Sequence, residues 1–329
     1  MKGLTFNTKR QPEWAEINNS PLTERQVEIK VFMSGICGTD LAVLRGKEDA
    51  PSGIIRGHEA VGTIIALGSS VTGLYIGQRV VIDPNQYCGD CPACRSGATH
   101  LCQGADGRGL AIAGVNRHGT FAGRFRCDAR FVYPLPDTLS WEAGVLIEPL
   151  ACVWNVVHRA GLIAGEQVLL LGSGPMSLVA QLLLRQLGIA TLATECNAGR
   201  RDVARRLGLA CCAPEALPAE PTFSAVIDTV GNQLELASRQ LRRGGRIVLF
   251  GFDDGYRYAF PAKQFLVNAW SIIGCGEYNQ DFNQAISLAQ SLPDLSSLVT
   301  HKFNLDDYAH AFELLSQNSH DYIKAVLVS

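Results

Sequence analysis

The stretch Val168-Leu-Leu-Leu-Gly-Ser-Gly-Pro-Met-Ser177 joins an apolar run to a glycine-rich turn and then to the start of a predicted helix. A short apolar run that ends at glycine is typical of a buried strand. Gly172 permits a tight turn, and Gly174 lets the backbone approach a pyrophosphate that lies on the helix N-terminus. Ser177 replaces the usual third glycine and is still small enough for close packing of the helix on the strand. The stretch therefore predicts a strand–turn–helix unit that binds a dinucleotide.

Strands and helices alternate on the C-terminal side of this turn. We predict strands at Thr191–Thr194, Ala225–Thr229 and Arg246–Phe250, and helices at Ala198–Leu207 and Gln233–Leu241. Such alternation implies a parallel sheet that is covered by helices on both faces. The region 150–271 is therefore predicted to form a doubly wound Rossmann domain.

Glu195 directly follows the second strand of this domain, where an acid can accept hydrogen bonds from the adenosine ribose. Its charge would repel a 2′-phosphate, so the sequence favours NAD over NADP. Arg200 and Arg201 follow closely and either bind such a phosphate or form a solvated helix face; with Glu195 in the acid position, we favour the solvated face. The predicted cofactor-binding residues are Gly172, Gly174, Pro175, Met176, Glu195, Arg200, Asp228, Phe250 and Gly251.

The first half of the chain has a different pattern. Short β-branched runs bounded by glycines, such as Val27–Val31 and Val61–Leu67, predict a β-rich region with many turns. After about residue 271, two amphipathic helices and a strand at Ile323–Val328 make a segment that is too short for a third domain. We therefore predict that 1–149 and 272–329 form one catalytic domain, with the dinucleotide domain inserted in it.

Composition excludes several other classes of protein. The chain has 329 residues, of which 47% are hydrophobic, and a net charge of −2, whereas a nucleic-acid-binding surface is normally strongly basic. The apolar stretches are too short to span a membrane, and the residues from Met1 to Phe6 lack the apolar region of a signal peptide. We therefore expect a cytoplasmic protein with no nucleic-acid or membrane partner.

Four of the eleven cysteines are clustered at Cys88, Cys91, Cys94 and Cys102, with two, two and seven intervening residues. Four thiolates suit a tetrahedral zinc ion, and two-residue spacings let one loop supply several of the ligands. An iron–sulfur cluster is the rival interpretation, but the long last spacing and the absence of a following proline fit it poorly. The loop therefore predicts a closed, structural zinc site.

A second set of metal-binding residue types lies near predicted strand and helix ends. Cys37, His58 and Glu59 offer a thiolate, an imidazole and a carboxylate, and Glu148 stands between apolar residues just before a helix. Each of them alone has an ordinary structural explanation, but a buried carboxylate is costly unless it is paired or binds metal. A catalytic zinc needs about three protein ligands and one open position. Together with the cysteine loop, these residues predict a second, catalytic zinc site.

The stretch Gly57-His-Glu-Ala-Val-Gly62, with Gly68 and Val71 at the expected spacing, resembles the zinc signature of the zinc-containing medium-chain alcohol dehydrogenases. Gly35–Asp40, the cysteine loop and the glycine-rich turn occur in the family's order, so the resemblance covers essentially the whole chain. Glu148 stands where simple alcohol dehydrogenases carry a cysteine, which is similar to the polyol and sugar-alcohol (sorbitol dehydrogenase-like) branch. The resemblance implies an α/β protein with a GroES-like, β-rich catalytic domain and a Rossmann domain.

The same resemblance implies roles for single residues. Cys37 and His58 would bind the catalytic zinc, and Glu59 and Glu148 would bind it directly or through water. The Thr39 hydroxyl would contact the substrate oxygen and accept its proton.

The chain departs from the family just after Thr39. Leu41-Ala-Val43 supplies no histidine of the kind that often passes this proton to solvent, so water or cofactor hydroxyls are the alternatives. We also expect Lys324, on the predicted last strand, to pair with Glu59, because an acid beside a zinc ion needs a cation.

These observations predict a zinc-dependent oxidoreductase that transfers a hydride from a secondary hydroxyl of a polyol, sugar or cyclitol to NAD and leaves a ketone. Two zinc ions per chain are expected. The alternatives are an NADP-linked dehydrogenase of another alcohol, of the threonine or sugar-phosphate type, and a zinc-free quinone or enoyl reductase. The expected partners are a small-molecule alcohol and further copies of the chain, in a homodimer or homotetramer as is usual in the family.

Overall fold

The computed structural model describes residues 2–16, 20–317 and 322–329. The strands are β1 (Lys2–Phe6), β2 (Pro12–Glu16), β3 (Gln26–Ile36), β4 (Glu59–Leu67), β5 (Arg79–Ile82), β6 (Asn85–Gln86), β7 (Ala111–Ile112), β8 (Arg124–Asp128), β9 (Val132–Pro134), β10 (Gln167–Leu171), β11 (Ala190–Thr194), β12 (Cys211–Cys212), β13 (Phe223–Asp228), β14 (Leu241–Leu249), β15 (Ser271–Gly274), β16 (Val299–Asn304) and β17 (Lys324–Val328). The α-helices are α1 (Gly38–Leu44), α2 (Pro92–Arg95), α3 (Trp141–Gly144), α4 (Ile147–Ala160), α5 (Pro175–Gln186), α6 (Ala198–Arg206), α7 (Leu234–Gln240), α8 (Ala262–Asn268), α9 (Phe282–Ala289) and α10 (Tyr308–Ser316). None of these helices combines the length and the apolar character that crossing a membrane requires.

The chain divides into two compact units, the first made of 1–148, 282–290 and 299–329 and the second of 149–281 and 291–298. We predicted that the dinucleotide domain ends at residue 271, whereas the second unit extends beyond it. One reason is that β15 continues the parallel sheet of this unit up to Gly274. The division into a catalytic domain (1–149 and 272–329) and a dinucleotide domain (150–271) stays a prediction.

The second unit is built on a parallel sheet with the strand order β12-β11-β10-β13-β14-β15. Counted from β10 as the first strand, this is the 3-2-1-4-5-6 order of a dinucleotide-binding Rossmann fold. The strand order reverses between β10 and β13, and the turns that follow these two strands therefore lie side by side at the carboxyl edge of the sheet. The predicted doubly wound sheet is confirmed.

The strands and helices that we predicted for this unit are present, with one boundary that differs by several residues. Strand β14 begins at Leu241 rather than at Arg246, because Leu241 already pairs with Phe223 before a shift of register. Gly244 and Gly245 lie inside this strand, and glycine is depleted in strands. The sequence pattern therefore did not predict the first half of β14.

The first unit is built on a mainly antiparallel sheet with the order β16-β17-β3-β4-β5-β9, in which β8 also pairs with β3. Alternate residues Val27, Ile29 and Val31 of β3 are fully buried, as expected when one face of a strand lies on the core. Gly35 of β3 is opposite Glu59 of β4, and Ile36 is opposite Ala325 of β17. The end of β3 and the starts of β4 and β17 therefore meet at one edge, where the predicted catalytic residues lie.

Candidate active site

Cys37, His58 and Glu59 bring their ligand atoms together in the first unit. The thiol sulfur, an imidazole nitrogen and a carboxylate oxygen all lie within 4.8 Å of one another. Cys37 follows the end of β3, and His58 precedes the antiparallel strand β4, so the strand pairing itself brings them together. Thiolate, imidazole and carboxylate are the ligand types that zinc prefers, so this donor group fits the ion that the sequence implied.

The surroundings of His58 also favour a cation. Burial alone lowers the pKa of this imidazole, but the neighbouring Cys37 thiolate and the Asp40 and Glu148 carboxylates outweigh burial and raise the pKa to about 10. Glu148, in the first turn of α4, is buried near enough to contribute to this field, although it lies outside the group of three. A pocket that favours a proton on histidine this strongly is suited to hold a metal ion instead.

Thr39 lies in the first turn of α1, two residues after Cys37. Its hydroxyl oxygen is buried and has no hydrogen-bond partner among the residues that the structure describes. A buried hydroxyl without a partner costs free energy, unless it serves a ligand. The geometry is therefore consistent with the role that the family resemblance implies for Thr39.

Lys324 and Glu59 form a buried ion pair, with 3% and 1% of their side chains exposed. Burial lowers the pKa of Lys324, but the Glu59 charge outweighs it and raises the pKa. Gly35 makes room for the pair, because a Cβ atom at this position would lie 2.1 Å from Glu59 Oε2. The pairing of Lys324 with Glu59, predicted from the sequence, is confirmed.

Sequence reasoning missed a second buried ion pair at this site, between Asp40 and Arg56. Arg56 Nη2 lies 3.2 Å from Asp40 Oδ1, and the two side chains are 2% and 0% exposed. One signal was available, since Arg56 is a charged residue between Ile54-Ile55 and the Gly57-His58 signature. The identity of its partner was not available, because no local pattern joins the two residues.

The four clustered cysteines also converge. Their sulfur atoms lie within 4.8 Å of one another, and all four are free of disulfides. The Cys88 and Cys94 sulfurs are 3.9 Å apart, close to the edge of about 3.8 Å of a tetrahedron with zinc–sulfur bonds of about 2.3 Å. The backbone N–H groups of Gln103 and Cys94 donate to the Cys91 sulfur and lower its pKa to about 6. The loop therefore fits the predicted zinc ion, for which all four cysteines, Cys102 included, offer a sulfur atom.

The glycine-rich turn of the second unit has the predicted shape. Gly172 has a φ of +96°, and a Cβ atom there would lie 2.9 Å from Thr229 Oγ1, so the turn requires glycine. Gly174 caps the N-terminus of α5 and has open space beside it, which leaves room for a phosphate group. Pro175 and Met176 follow as the first residues of the helix, partly exposed at the same end.

Glu195 is fixed beside this turn. Its carboxylate accepts hydrogen bonds from the backbone N–H groups of Ser173, at 3.0 Å, and Asn197, at 2.9 Å. Arg200 Nη1 lies 3.9 Å from the same carboxylate, and Arg201 donates to the backbone carbonyl of Glu195. Both arginines are therefore directed at Glu195.

Asp228, Phe250 and Gly251 shape the neighbouring loops at the strand ends. The buried Asp228 carboxylate accepts hydrogen bonds from the N–H groups of Val230 and Gly231, at 2.9 and 2.8 Å. The Asp228 carbonyl accepts from the N–H groups of Phe250 and Gly251. The Asp228 carboxylate and carbonyl hold these loops in shape, and the backbone contacts with the cofactor stay a prediction.

Comparison with known proteins gives the same assignment for both units. The family model for the alcohol dehydrogenase GroES-like domain matches residues 23–137, and that for the zinc-binding dehydrogenases matches residues 175–291. The chain is 30% identical to a 2-dehydro-3-deoxy-L-galactonate 5-dehydrogenase of Pseudoalteromonas atlantica, over 89% of each chain. It is also 30% identical to an L-threonine 3-dehydrogenase of Pectobacterium carotovorum, over 96% of each chain.

A solved structure supports the fold. An alcohol dehydrogenase of Escherichia coli CFT073, solved in complex with NADH, superimposes with a TM-score of 0.91 at 24% identity, over 100% of this chain and 99% of that chain. The sequence relatives, the two family models and the parallel sheet of the second unit agree. The chain belongs to the zinc-containing medium-chain alcohol dehydrogenase family and is a zinc-type NAD(P)-dependent alcohol dehydrogenase.

Proposed function

We propose that this dehydrogenase oxidises a secondary hydroxyl of a polyol, sugar or cyclitol to a ketone, with NAD as the acceptor. The observation that carries the proposal is the donor group of Cys37, His58 and Glu59 two residues from a buried, unpartnered Thr39 hydroxyl. That combination offers both a metal site and a proton acceptor. The zinc-containing family assignment argues against the zinc-free reductase that the sequence had left as an alternative.

We assign one zinc ion to Cys37 and His58, with Glu59 and Glu148 as direct or water-bridged ligands. A zinc ion held there supplies a Lewis acid that lowers the pKa of an alcohol. A second ion, held by the four-cysteine loop, orders that lobe and takes no part in the reaction.

The residues of the chain then have separate tasks. Thr39 Oγ1 accepts the proton of the substrate hydroxyl, and no side chain at Leu41–Val43 can carry this proton further. Water or a cofactor hydroxyl therefore takes it to solvent. NAD supplies the hydride acceptor, and the turn at Gly172–Gly174 and the Glu195 carboxylate orient it.

The first experiment compares rates on sugar alcohols, aldonates, cyclitols and simple alcohols, each with NAD and with NADP. We expect turnover of a polyol-type secondary alcohol with NAD. A clear preference for NADP would contradict our interpretation of Glu195. Removal of metal by a chelator should abolish turnover, and zinc should restore it.

The role of Thr39 is tested by two substitutions of similar volume. Thr39→Val removes only the hydroxyl and should lower kcat by about 100- to 10,000-fold, the usual range for a lost general base. Thr39→Ser keeps the hydroxyl and should retain most of the activity. Equal rates in the Val and Ser variants would remove Thr39 from the mechanism.

L-Threonine is a second candidate substrate. One relative that aligns over 96% of each chain is an L-threonine 3-dehydrogenase, and threonine also carries a secondary hydroxyl. Threonine and free sugar alcohols differ in charge, so assays with both, at equal concentration, separate these candidates. Turnover of threonine with no turnover of polyols would replace our first proposal.

We propose that the chain assembles into a homodimer or homotetramer through its second unit. Strand β15 is the last strand of the parallel sheet, so one edge of its backbone is unpaired within the sheet. Ile272 on this strand and Leu266 and Val267 on α8 are exposed apolar side chains. Light scattering of the purified protein gives the assembly state, and replacement of Ile272 by Lys should dissociate the assembly.

A further inference from the structure

Arg56 is a buried charge beside the donor group, and the proposed mechanism does not use it. Its side chain is 2% exposed, and both Nε and Nη2 lie 3.2 Å from Asp40 Oδ1. Nη1 donates to the carbonyl of Val115 at 3.4 Å, and the guanidinium lies 6.0 Å from the centre of the Phe6 ring. Every nitrogen of this guanidinium thus has a contact inside the protein. Such an arrangement is costly to desolvate, so it needs an explanation beyond core packing.

Asp40 connects Arg56 to the first metal donor. Asp40 Oδ2 accepts the backbone N–H of Cys37 at 3.0 Å, and the Cys37 side chain accepts the N–H of Asp40 in return. The two hydrogen bonds form a capping box that fixes the turn at the start of α1. The Asp40 carboxylate therefore has one oxygen on the Cys37 turn and the other on Arg56.

Gly57 connects Arg56 to the second donor, His58. Gly57 has a φ of +90°, and its carbonyl accepts the N–H of Thr120 at 2.9 Å. A Cβ atom at Gly114 would lie 2.0 Å from the same carbonyl, so the neighbouring loop packs closely on it. The one residue between Arg56 and His58 is therefore held in a single conformation, and the position of Arg56 is transmitted to His58.

We propose that Arg56 is a positioning residue for the metal site and that it sets, through Asp40 and Gly57, the separation of the Cys37 sulfur and the His58 ring. This inference rests on the proposed metal site of the dehydrogenase. Metal ligands must be held to within about 0.5 Å of the productive geometry, and the residues that orient them typically change metal affinity by about 10- to 100-fold when replaced. We therefore expect Arg56 to act on metal affinity before it acts on the fold.

The test uses variants that avoid a buried, unpaired carboxylate. Arg56→Lys keeps the positive charge but loses the two-nitrogen contact with Asp40. The double variant Arg56→Gln with Asp40→Asn removes both charges and keeps a polar side chain at each position, with glutamine shorter than arginine. Arg126→Lys is the matched control, because Arg126 pairs with the mostly buried Glu28 on β3 and does not contact the donor group.

Each protein is loaded with zinc, and the ions that remain are counted during competition with a chelator. Cobalt replacement then reports the ligand geometry by its absorption spectrum. Wild type and Arg126→Lys should hold two ions with equal affinity. Arg56→Lys and the double variant should keep the four-cysteine ion, show a native circular dichroism spectrum, and bind the other ion about 10- to 100-fold more weakly.

Two results would overturn the inference, and they are distinguishable. If wild type holds two ions and either folded variant binds the second ion within about twofold of wild type, Arg56 does not position the ligands, and the proposed function stands. If wild type holds only the four-cysteine ion, and Cys37→Ser leaves the zinc content unchanged, the proposed metal site fails and this inference fails with it. If Arg56→Lys does not fold, the double variant decides between these outcomes.

Discussion

Replacement of Lys324 by Met should destabilise the first unit strongly, although methionine fills a similar volume. Lys324 and Glu59 are 3% and 1% exposed, and the ammonium group donates to the carboxylate. In the metal-free protein, removal of one partner leaves the other charge buried without compensation, which costs about 3–5 kcal/mol. At 1.4 kcal/mol for each factor of ten, this is roughly a 100- to 4,000-fold change in the folding equilibrium.

The assay must report the first unit alone, because a chain of two units need not unfold in one step. Hydrogen exchange of the peptides that cover β3 and β4 gives the opening free energy of the sheet that carries Glu59. Lys302→Met is the control, since Lys302 is a half-exposed lysine on the neighbouring strand β16 and pairs with Glu142. An exposed pair contributes at most about 1 kcal/mol.

The double variant Glu59→Gln with Lys324→Met separates charge from packing. Because no charge is then left buried, most of the lost opening free energy should return. If Lys324→Met costs no more than Lys302→Met, the Glu59 carboxylate is compensated by another group, and our account of the pair is wrong. If the double variant is as unstable as the single one, the loss comes from packing of the lysine stem and not from its charge.

Three further predictions concern other parts of the chain. Cys94→Ser should lower thermal stability or assembly first, with activity lost only as a consequence; a fully stable variant without activity would contradict a structural role for that loop. Glu166→Gln should cost about 1–3 kcal/mol at pH 7, because the partly buried Glu166 binds Arg246. Burial raises the pKa of Glu166, but hydrogen bonds from Arg246 outweigh burial and lower the pKa. This cost should therefore be fully present above about pH 4.3, the ordinary pKa of glutamate. It should be lost as the pH falls through the lowered pKa of the folded state, which urea unfolding at several pH values would show. Gln181→Leu should raise stability by about 1–3 kcal/mol in thermal unfolding, because neither amide atom of this buried side chain has a partner among the described residues; a loss of stability would mean that a bound water satisfies them.

The parts of the fold that are local in sequence were predictable. The turn at Gly172–Gly174 and the four-cysteine loop are each specified by a short stretch of sequence. Backbone geometry requires the glycines of the turn, and zinc chemistry requires the cysteines of the loop. The long alternating pattern of β10–β14 was read correctly for the same reason. The family resemblance added Lys324, which no local pattern connects to Glu59.

Other features depend on contacts between distant segments. The pair of Asp40 and Arg56 joins residues that are sixteen positions apart, one on α1 and the other in the loop before β4, and neither sequence neighbourhood specifies the other. The glycine at Gly35 is needed only because Glu59 and Lys324 pack beside it, which the strand register decides. Strand β1 was not predicted either, since no turn-forming residue marks its five residues off from an irregular terminus.

The ion pair of Glu59 and Lys324 also constrains the order of biosynthesis. The two residues are 265 positions apart in the sequence, and the segment 149–281 of the second unit lies between them. At about 5–20 residues per second, a ribosome needs roughly 13–50 s to make the partner of Glu59 after Glu59 itself. During that interval the nascent first unit carries its metal donors without Lys324, and the parallel sheet, whose last strand ends at Gly274, is synthesised before Lys324. We therefore expect the Rossmann unit to fold on the ribosome first and the metal site to close only after it.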